Sequence, residues 1–500
     1  LSGKLSENVN ILASITDDNI PIQPDGNTQQ IQDFDRIFIK LFNDKHELTL
    51  GDYQVENSQN SHFLKFRKKV QGGQYSGLAS EGKKTQVHTQ ISASIAKGKF
   101  NRMEMEGQEG NQGPYRLFGT NNETYIIVLA GTEKIYKDGK LLSRGENKDY
   151  TINYNTAELS FNTNQPINRN SRIIVEFEYS EENYSRYLIY NSTEIKGKKA
   201  SFQINLYNEQ DNKNNTVSQN LNDEQKLLLS QSGDNLQAAI SSQIQIVEYT
   251  NDLVLYKKNI QQFEGTDYET YVHSTEASEA VYRIRFSFVG DKKGNYKQIE
   301  SSANGRVYEW VTPINSIPQG DFSLNSQMIA PEKHQIISLG GQFKHSERAE
   351  SKFELAFSNK DINTFSSIDD KNNKALAFMF ETNRKTFLKD TNQQLNSSIV
   401  YNYLSDNFEE VETFRSPEFN RDWNIQEQTK NSNEHYIEFK NTYKNKISQF
   451  TYEISALNQA SQFKGLRQNA FIKYHKNHFE LNWNANFLTS DQNDTESKFF

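Results

Sequence analysis

A strict two-residue alternation in residues 477–487 constrains the fold of this chain more than any other feature. The apolar side chains of one parity are Phe479, Leu481, Trp483, Ala485 and Phe487. Glu480 and three asparagines occupy the positions between them. A period of two is that of a β-strand with one apolar and one polar face. Runs of about ten such residues, ended by turn residues, encode the strands of membrane β-barrels.

The same alternation recurs along much of the chain. It is most regular in Gln86–Ala96, where Val87, Ile91 and Ile95 share one parity. Comparable runs are Leu5–Ile15, Phe34–Phe42, Ala200–Leu206, Tyr282–Phe288, Lys352–Phe357, Ala375–Phe380, Ser397–Leu404, His435–Phe439, Ile447–Ile454 and Ala470–Tyr474. Polar spacers of unequal length separate these runs, which predicts short turns at one rim of a barrel and longer loops at the other.

Composition excludes several classes of protein. No stretch approaches the roughly 20 consecutive apolar residues of a transmembrane helix, so a helical membrane protein is excluded. The mean hydropathy of −0.84 is low, yet 12% of the residues are aromatic, which argues against a disordered chain. Cysteine is absent, which excludes disulfides and thiolate metal sites and suits an exported bacterial protein. The net charge of −8, with mixed signs, indicates no nucleic-acid partner.

Residues 116–180 are predicted to form a small inserted β-sandwich module. Tyr125–Ala130 is apolar at every position, which predicts a strand buried on both faces. The segment 137–140 (Lys-Asp-Gly-Lys) predicts a tight hairpin, because Asp-Gly accepts the positive φ angles of a type I′ turn. The further strands predicted in this module are Asp149–Tyr154, Ala157–Phe161 and Arg172–Tyr179.

A short helical insertion is predicted at residues 222–241. Asn222 is the N-cap, Gln225 occupies the capping-box position, and Gly233 ends the helix. Isolated helices shorter than about 12–15 residues are marginal in water, so this one must bury its leucines against another part of the structure. We interpret it as a plug or a partner-binding loop element. Residues 1–115 and 181–500 are assigned to barrel strands around these two insertions.

Five strings in the chain carry a resemblance to known proteins. They are Ile20–Gln30, Gly113–Leu117, Gly145–Tyr154, Asn304–Val311 and Pro417–Trp423. Over most of its length the chain resembles a group of large, uncharacterised outer-membrane β-barrel proteins of Bacteroidota and related bacteria. The resemblance implies an outer-membrane location and a longer protein, and it brings no catalytic residues. The module at residues 116–180 also looks like small β-domains appended to other exported bacterial surface proteins.

Two polar motifs contain residue types that bind metal ions. His475 and His478 are three positions apart but span a predicted strand end and turn, which favours a solvated loop. Asp369-Asp370, followed by Asn372-Asn373, offers oxygen ligands for Ca²⁺. This motif lacks the glycine and terminal glutamate of the helix–loop–helix calcium site, so a plain polar turn is favoured.

The segment Pro417–Trp423 combines charged and aromatic side chains. One interpretation is a lumenal charge cluster, in which Glu418, Arg421 and Asp422 line a passage. The other is an anchor at the membrane interface, where aromatic residues such as Trp423 are enriched. We favour the anchor.

The remaining acidic motifs do not predict catalysis. The pairs of neighbouring carboxylates are Asp17-Asp18, Glu181-Glu182 and Glu409-Glu410. Adjacent side chains on a strand point to opposite faces, so such a pair cannot act together as acid and base. The sequence contains no Gly-rich phosphate loop and no Gly-x-Ser-x-Gly elbow. We therefore predict no catalytic, cofactor-binding or metal-binding residues, and a protein that is not an enzyme.

Together these patterns predict an all-β protein, a large antiparallel transmembrane β-barrel with an inserted small β-sandwich module and a short helical insertion. We expect it in the cell outer membrane, in contact with lipid and with other envelope proteins or lipoproteins, as a transport or export channel or a docking platform. Two alternatives stay open: a soluble surface-exposed or periplasmic β-protein acting in adhesion or as an envelope scaffold, and an outer-membrane enzyme with its site on long loops. The chain starts at Leu1 without a signal peptide and ends at Phe500 without a closing hairpin, so we expect a mature piece of a longer protein, truncated at its C terminus.

Overall fold

The structure is all-β, which confirms the predicted class. Strands account for 62% of the residues and helices for 4%. This computed structural model describes the chain except residues 1, 16–36, 58–60, 121–122, 124–125, 181–183, 217–220, 237–238, 243, 251–252, 264, 285, 302–305, 316, 389–391, 426–431, 461, 477, 493–494 and 500. Among the described residues, no helix is both long and apolar enough to cross a membrane.

The first six strands of the chain belong to a large antiparallel sheet. They are β1 (Ser2–Ser6), β2 (Val9–Ile15), β3 (Ile37–Phe42), β4 (His46–Glu56), β5 (Arg67–Glu81) and β6 (Thr85–Ala96). Each strand pairs with the next one in the chain. Because apolar and polar residues alternate, each strand has one apolar face and one polar face. Neighbouring strands pair in the register that keeps the apolar faces on the same side of the sheet.

A compact module follows β6. Its strands are β7 (Lys99–Glu106), β8 (Tyr115–Arg116), β9 (Ile127–Val128), β10 (Lys134–Lys137), β11 (Lys140–Leu141), β12 (Tyr150–Asn153), β13 (Glu158–Phe161) and β14 (Arg172–Ser180). One sheet has the order β11-β10-β14-β7, with β9 also on β14, and the other has the order β12-β13-β8. Both contribute side chains to one buried core, including Ile135, Leu159 and Phe177. The module is thus built as two sheets around a shared interior.

The structure corrects two details of the predicted module and confirms a third. The module begins at β7 rather than at residue 116, because β7 pairs with β14 over eight positions from Arg172 to Tyr179. The run Tyr125–Ala130 is not a doubly buried strand: Ile126 and Val128 are buried, but Ile127 is 47% exposed. The Asp-Gly hairpin is confirmed, since Asp138 and Gly139 have φ angles of 49° and 78° between the paired ends of β10 and β11.

Two long strands return to the large sheet after the module. They are β15 (Tyr184–Gly197) and β16 (Ala200–Thr216). β15 pairs with β6 on one side and with β16 on the other. The module is therefore inserted between two strands that are neighbours in the sheet.

Residues 220–330 and 363–368 form a second compact unit. Its elements are α1 (Asp223–Ser232), β17 (Ile240–Ser242), β18 (Ile244–Ile246), β19 (Tyr256–Phe263), β20 (Thr266–His273), β21 (Tyr282–Ile284), β22 (Ser287–Phe288), β23 (Tyr296–Ile299), β24 (Val307–Trp310), β25 (Phe322–Ser323) and β26 (Asn325–Gln327). These strands pair with one another in three small sheets. The assignment of 181–500 to barrel strands is thus wrong for residues 220–330. The reason is aromatic burial within the unit, where Tyr256, Tyr296 and Phe322 are at most 8% exposed.

Helix α1 confirms the predicted capping. The Asn222 side chain accepts a hydrogen bond from the Gln225 backbone N–H, and the Gln225 side chain accepts one from the Asn222 backbone N–H. Leu229 is fully buried against residues of the same unit, whereas Leu227 is 57% exposed. The Asn363 side-chain amide donates to the carbonyls of Leu229 and Gly233 at the helix end, at 2.8 and 2.7 Å. The helix is thus stabilised inside its own unit.

Nine further strands complete the large sheet. They are β27 (Lys333–Ser346), β28 (Ala349–Asp361), β29 (Lys374–Phe387), β30 (Gln394–Leu404), β31 (Glu434–Lys444), β32 (Ser448–Gln459), β33 (Phe463–Lys476), β34 (Phe479–Gln492) and β35 (Thr495–Phe499). A 3₁₀ turn spans Asp370–Asn372, and a short helix, α2, spans Phe419–Asp422. β27 pairs with β16, and each later strand pairs with the one before it. The result is a 17-stranded antiparallel sheet in which, among the described residues, β1 and β35 are paired on one side only.

The connections of this sheet differ at its two ends, as the unequal spacers predicted. At one end, here called the turn rim, the hairpin connections are 7–8, 43–45, 82–84, 198–199, 347–348, 388–393, 445–447 and 477–478. At the other end the connections include 57–66, 405–433 and the two insertions at 97–183 and 217–332. All the large insertions of the chain therefore leave the sheet at the same end.

The two faces of the sheet have opposite chemistry. One face is apolar, and it runs from strand to strand through directly paired positions such as Leu206 with Ile337 and Ile337 with Phe357. Large side chains of this face are exposed, including Ile91 at 49%, Ile189 at 53%, Ile437 at 50% and Trp483 at 46%. The opposite face, here called the polar face, buries hydrogen-bonded groups such as Asn205, whose amide donates to the Ser338 hydroxyl at 2.9 Å.

Candidate functional site

The polar face, strand β7 of the module and the connection 405–433 border a cavity of about 400 Å³. Its cationic lining residues are Lys68, Lys99, Arg102, Arg186 and Lys360. Its carboxylates are Glu209, Glu332, Glu409 and Glu410. The sheet places these groups because charged residues occupy the polar parity of β5, β15, β16 and β28, near the end from which the insertions leave. We take this ionic cavity as the candidate functional site.

A buried lysine joins the sheet to the module at one side of the cavity. Lys68 on β5 is 2% exposed, and its Nζ lies 2.5 Å from Glu209 Oε1 on β16 and 4.0 Å from Glu178 Oε1 on β14. Glu178 also accepts the Lys69 backbone N–H. Burial raises the pKa of Glu178 to about 7, because the opposing effect of Lys68 is weakened by the closer pairing of that lysine with Glu209. Glu178 thus lies beside the cavity, at the contact between the sheet and the module, as a carboxylate whose pKa is raised by burial.

A second ionic group closes the other side of the cavity. Arg186 binds both oxygens of Asp211, at 2.7 and 2.9 Å. Glu332 lies 2.7 Å from Lys99 and 3.0 Å from Lys360, and its backbone N–H donates to Asp211. Burial alone would raise the pKa of Glu332, but Lys360, Lys99 and Arg186 outweigh it and hold that pKa well below its usual range. This group thus keeps its charges paired.

Further ion pairs tie the module to the connection 405–433. Lys134 on β10 lies 3.5 Å from Glu412 and 4.0 Å from Glu176. Burial raises the pKa of Glu176, against the lowering effect of Lys134 and Arg102. Arg172 at the start of β14 pairs with Glu418 at 2.7 Å. Strand β14 therefore uses its core-facing side chains and Glu176 within the module, whereas Glu178 contacts the large sheet and Arg172 contacts the connection 405–433.

Two connections pack onto the polar face and fill part of the space beside the cavity. In 57–66, the Ser61 hydroxyl donates to Glu354 Oε1 at 2.7 Å, and the His62 backbone N–H donates to Glu354 Oε2 at 2.5 Å. Phe63 packs against Phe408 and Phe414 of the second connection, with ring centroids 5.6 and 5.3 Å apart. Burial, with Lys65 and Arg415 nearby, lowers the pKa of His62 to about 4, so its imidazole is neutral at pH 7. The two connections therefore cover part of the polar face beside the cavity.

The segment Pro417–Trp423 lies on the polar face, which corrects the favoured interpretation of an interface anchor. Trp423 is 2% exposed and packs with Leu457, Phe463 and Leu488. An added Cβ at Gly465 would meet the Trp423 ring at 2.9 Å, so the glycine makes room for it. The charged residues of the segment are paired, with Arg421 2.9 Å from Glu418 and Arg467 of β33 3.3 Å from Asp422. The segment thus packs on the polar face, and the alternative of a lumenal charge cluster stays a prediction.

The pair Glu409-Glu410 also departs from its prediction. It lies in a connection rather than a strand, so the opposite-face argument does not apply, and both residues border the ionic cavity. The Glu409 carbonyl accepts a hydrogen bond from His334 Nε2 at 3.2 Å. Burial raises the pKa of Glu410, although the Thr413 side chain and the Phe414 backbone N–H donate to its carboxylate. Asp17-Asp18, Glu181-Glu182 and the string Ile20–Gln30 lie outside the described residues.

One candidate metal motif, residues 369–373, lies in a connection between strands, and the other spans the end of β33 and the turn after it. Asp369 has a φ of 68° before the 3₁₀ turn, and the Asn373 amide donates to Asp370 at 3.2 Å. His475 lies near the end of β33 and His478 in the following turn. Among the described residues, no group of three or more His, Asp or Glu side chains is arranged to hold a metal ion.

Sequence reasoning missed the lining residues of the cavity. Lys68 and Glu209 are 141 positions apart, and Lys99 and Glu332 are 233 apart. The available signal was that several strands carry charged residues at their polar positions, near the same end of each strand. Without the register of those strands, that signal does not indicate which charges meet.

One family matches part of the chain. Residues 100–181 match a family described as a domain of unknown function (DUF8818). The match covers the module from β7 to β14 and much less than half of the chain, so it names a domain and not the protein. No curated protein and no solved structure matches this chain.

Proposed function

We propose that this chain forms a transmembrane β-barrel of a bacterial outer membrane, with a lumen that is partly filled by its own inserts. It would act without catalysis as a transport or export channel, or as the docking platform of an envelope complex. The observation that carries this proposal is the apolar face of the 17-stranded sheet, where side chains such as Ile91, Ile189 and Ile437 are about half exposed. Soluble monomers rarely expose contiguous apolar patches larger than a few hundred Å², whereas a barrel places such a face against lipid.

The two rims of the sheet support the same proposal. Short turns at one end and long insertions at the other are the arrangement of outer-membrane barrels. The polar face supplies the hydrated interior that such a barrel needs. The proposal also requires that the open edges of β1 and β35 be paired in the membrane, with each other or with further strands, because an unpaired edge in lipid would leave backbone groups without partners.

The inserts beside the ionic cavity favour a gated or occupied lumen over an open pore. The connections 57–66 and 405–433 are pinned to the polar face by Glu354 and by a phenylalanine cluster. The predicted plug at residues 222–241 buries its leucine within its own unit, and its action as a plug stays a prediction. Among the described segments, 57–66 and 405–433 are the ones whose contacts fit that role.

The resemblance noted from the sequence agrees with this location. The partners that follow from the proposal are outer-membrane lipid on the apolar face and envelope proteins or lipoproteins at the insertion end. The five cations and four carboxylates of the cavity suit polar or zwitterionic cargo rather than apolar cargo. An apolar group would displace the water around these charges, and the loss of that hydration costs free energy.

A second function is favoured by the edges of the sheet. β1 and β35 each carry one unpaired edge among the described residues, and such edges can accept a strand from another chain. A soluble periplasmic or surface scaffold that assembles through these edges would use the apolar face as a contact with its partner.

Extraction from cells separates the two functions. Membranes carrying the chain are washed with alkaline carbonate and then treated with detergent. We expect the chain to stay with the membrane pellet, to need detergent for release, and to migrate faster on gels before heating than after. Release by carbonate alone as a stable folded protein would overturn the barrel and favour the scaffold.

Conductance in planar bilayers separates a channel from a docking platform. Glu354→Ala removes the acceptor of three donors from residues 61–63 and is expected to increase conductance by freeing the connection 57–66. Glu350→Ala, on the same face of β28, is the matched control. An assembled chain that stays silent in both variants would favour the docking platform, tested by co-purification of envelope proteins.

A further inference from the structure

The turn rim carries a patch of basic residues on three adjacent hairpins. This patch, here called the basic rim, consists of Lys83, Lys84, Lys198, Lys199, Lys344 and Arg348. The hairpins are neighbours because Thr85 pairs with Gly197 and Ala200 pairs with Phe343. The Lys344 backbone N–H donates to the Lys199 carbonyl at 2.7 Å, which joins two of the turns directly. Six cations thus lie on neighbouring hairpins whose turns hold one carboxylate, Glu347, in a chain whose net charge is −8.

The side chains of the basic rim are exposed to solvent, and the Arg348 guanidinium also lies over the Phe387 ring, 4.8 Å from its centroid. All six residues are exposed. Within the described part of the chain, none of the six forms a salt bridge, and the nearby Glu81 pairs with Lys45 at 2.5 Å instead. Lysines left unpaired at this density repel one another by roughly 1 kcal/mol per close pair in water. An anionic partner would remove that repulsion.

The basic rim is continuous with the apolar face. Phe202 follows Lys199 by three positions, and Phe343 directly precedes Lys344. Both rings lie on the apolar face, 46% and 36% exposed, with centroids 5.4 Å apart. Phe353 stacks on Phe343 at 6.2 Å. Cations directly above a band of aromatic side chains are the arrangement found where a membrane protein passes from acyl chains to headgroups.

We propose that the basic rim binds the phosphates of anionic lipid headgroups. The inference rests on the proposed function, because the phenylalanines bring a headgroup within reach of the lysines only if the apolar face lies in lipid. Each lysine near an anionic surface contributes roughly a fivefold increase in partitioning. The rim would therefore choose the lipid around this part of the barrel and orient the turn rim toward an anionic leaflet.

Assembly of the full chain into vesicles tests the proposal. The chain is diluted from urea into vesicles of phosphatidylcholine, or of phosphatidylcholine with phosphatidylglycerol, and folding is followed by heat-modifiable gel mobility. We expect assembly to be at least about tenfold faster with phosphatidylglycerol, and this advantage to be lost between about 0.05 M and about 0.5 M NaCl. The fourfold variant with Lys83, Lys84, Lys198 and Lys199 changed to Gln should lose most of the advantage.

A matched variant controls for the loss of charge. It changes four exposed lysines of the same compact unit that lie outside the turn rim, Lys140, Lys148, Lys374 and Lys464, to Gln, and it should keep the wild-type preference. If the wild type assembles in neither vesicle, the barrel proposal and the rim proposal both fail. If it assembles equally fast in both vesicles, or if both variants lose the preference alike, the rim proposal alone is overturned. In a competition experiment, inorganic phosphate is added at constant ionic strength. If it abolishes the preference for phosphatidylglycerol, the rim binds the free anion and the lipid assignment is overturned.

Discussion

The module and the large sheet use similar strand sequences but bury them differently. In the module, the apolar side chains of two sheets meet in one core, and Leu159, Ile173 and Phe177 are fully buried. In the large sheet, the corresponding side chains, such as Ile91 and Ile437, stay about half exposed. The module thus buries its apolar side chains against one another, whereas those of the large sheet are left partly exposed to solvent. This difference in burial is the physical basis of the proposed membrane location.

The largest expected effect comes from removing a core ring of the module. Phe177→Ala leaves a cavity among fully buried neighbours and should lower the free energy of unfolding by about 3–5 kcal/mol. Limited proteolysis of the full chain, read at sites within residues 100–181, measures the effect. Ile127→Ala, at a position 47% exposed, is the control and should change little. If both variants were equally sensitive to proteolysis, the buried core would not be what stabilises the module, and the comparison with the sheet would lose its basis.

A charge on the apolar face of the sheet tests the other half of the comparison. Ile91→Arg, near the middle of β6, should cost about 2–4 kcal/mol in a bilayer and impair assembly, because an arginine at this depth loses its water. Gln90→Arg places the same charge on the polar face of the same strand and should be tolerated. Heat-modifiable mobility after assembly in vesicles measures both. Comparable assembly of the two variants would mean that the apolar face does not meet lipid.

The contact between module and sheet should depend on pH through Glu178. Its pKa is raised to about 7 in the folded protein, so the folded state binds more protons than the unfolded state between about pH 4.5 and 7. Stability from this group is therefore complete below about pH 4.5 and lost as the pH rises through 7, by about 3 kcal/mol. Hydrogen exchange of β14 between pH 5 and 8 should show faster opening at higher pH. Glu178→Gln should flatten this profile and the exposed Glu146→Gln should not; a wild-type profile without slope would contradict the assignment.

The smallest expected effect concerns the second unit. Asn222→Ala removes the capping box of α1 and should cost about 1 kcal/mol. Increased proteolysis confined to residues 220–330 measures it, and Lys226→Ala, an exposed position within the same helix, is the control. An effect that extends to the module or to the large sheet would mean that the second unit does not unfold by itself.

Features that depend on neighbouring residues were predicted from the sequence more successfully than features that depend on distant ones. The strands around Ile91 and Trp483, the Asp138-Gly139 turn and the Asn222 cap were predicted, because each is determined by residues within one strand or one turn. Predictions that needed a partner were less successful. Tyr282–Phe288 has the alternation of a barrel strand, yet its described residues form β21 and β22, which belong to two different small sheets of the second unit. Phe286, between these two strands, packs with Tyr256 and Tyr296. Trp423 was interpreted as an interface anchor, but its surroundings come from β32, β33 and β34.

The sequence by itself determined the β class, the positions of most strands, the unequal rims and the opposite chemistry of the two faces. A period of two and the placement of turn residues are enough to specify these features. Only the tertiary structure decided which strands leave the large sheet and which charges meet. The pairing of Lys68 with Glu209 and Glu178, and of Glu332 with Lys99, requires strand registers and an insertion that bring together residues up to 233 positions apart. Long-range register is a property of the folded sheet, and no local pattern of side chains encodes it.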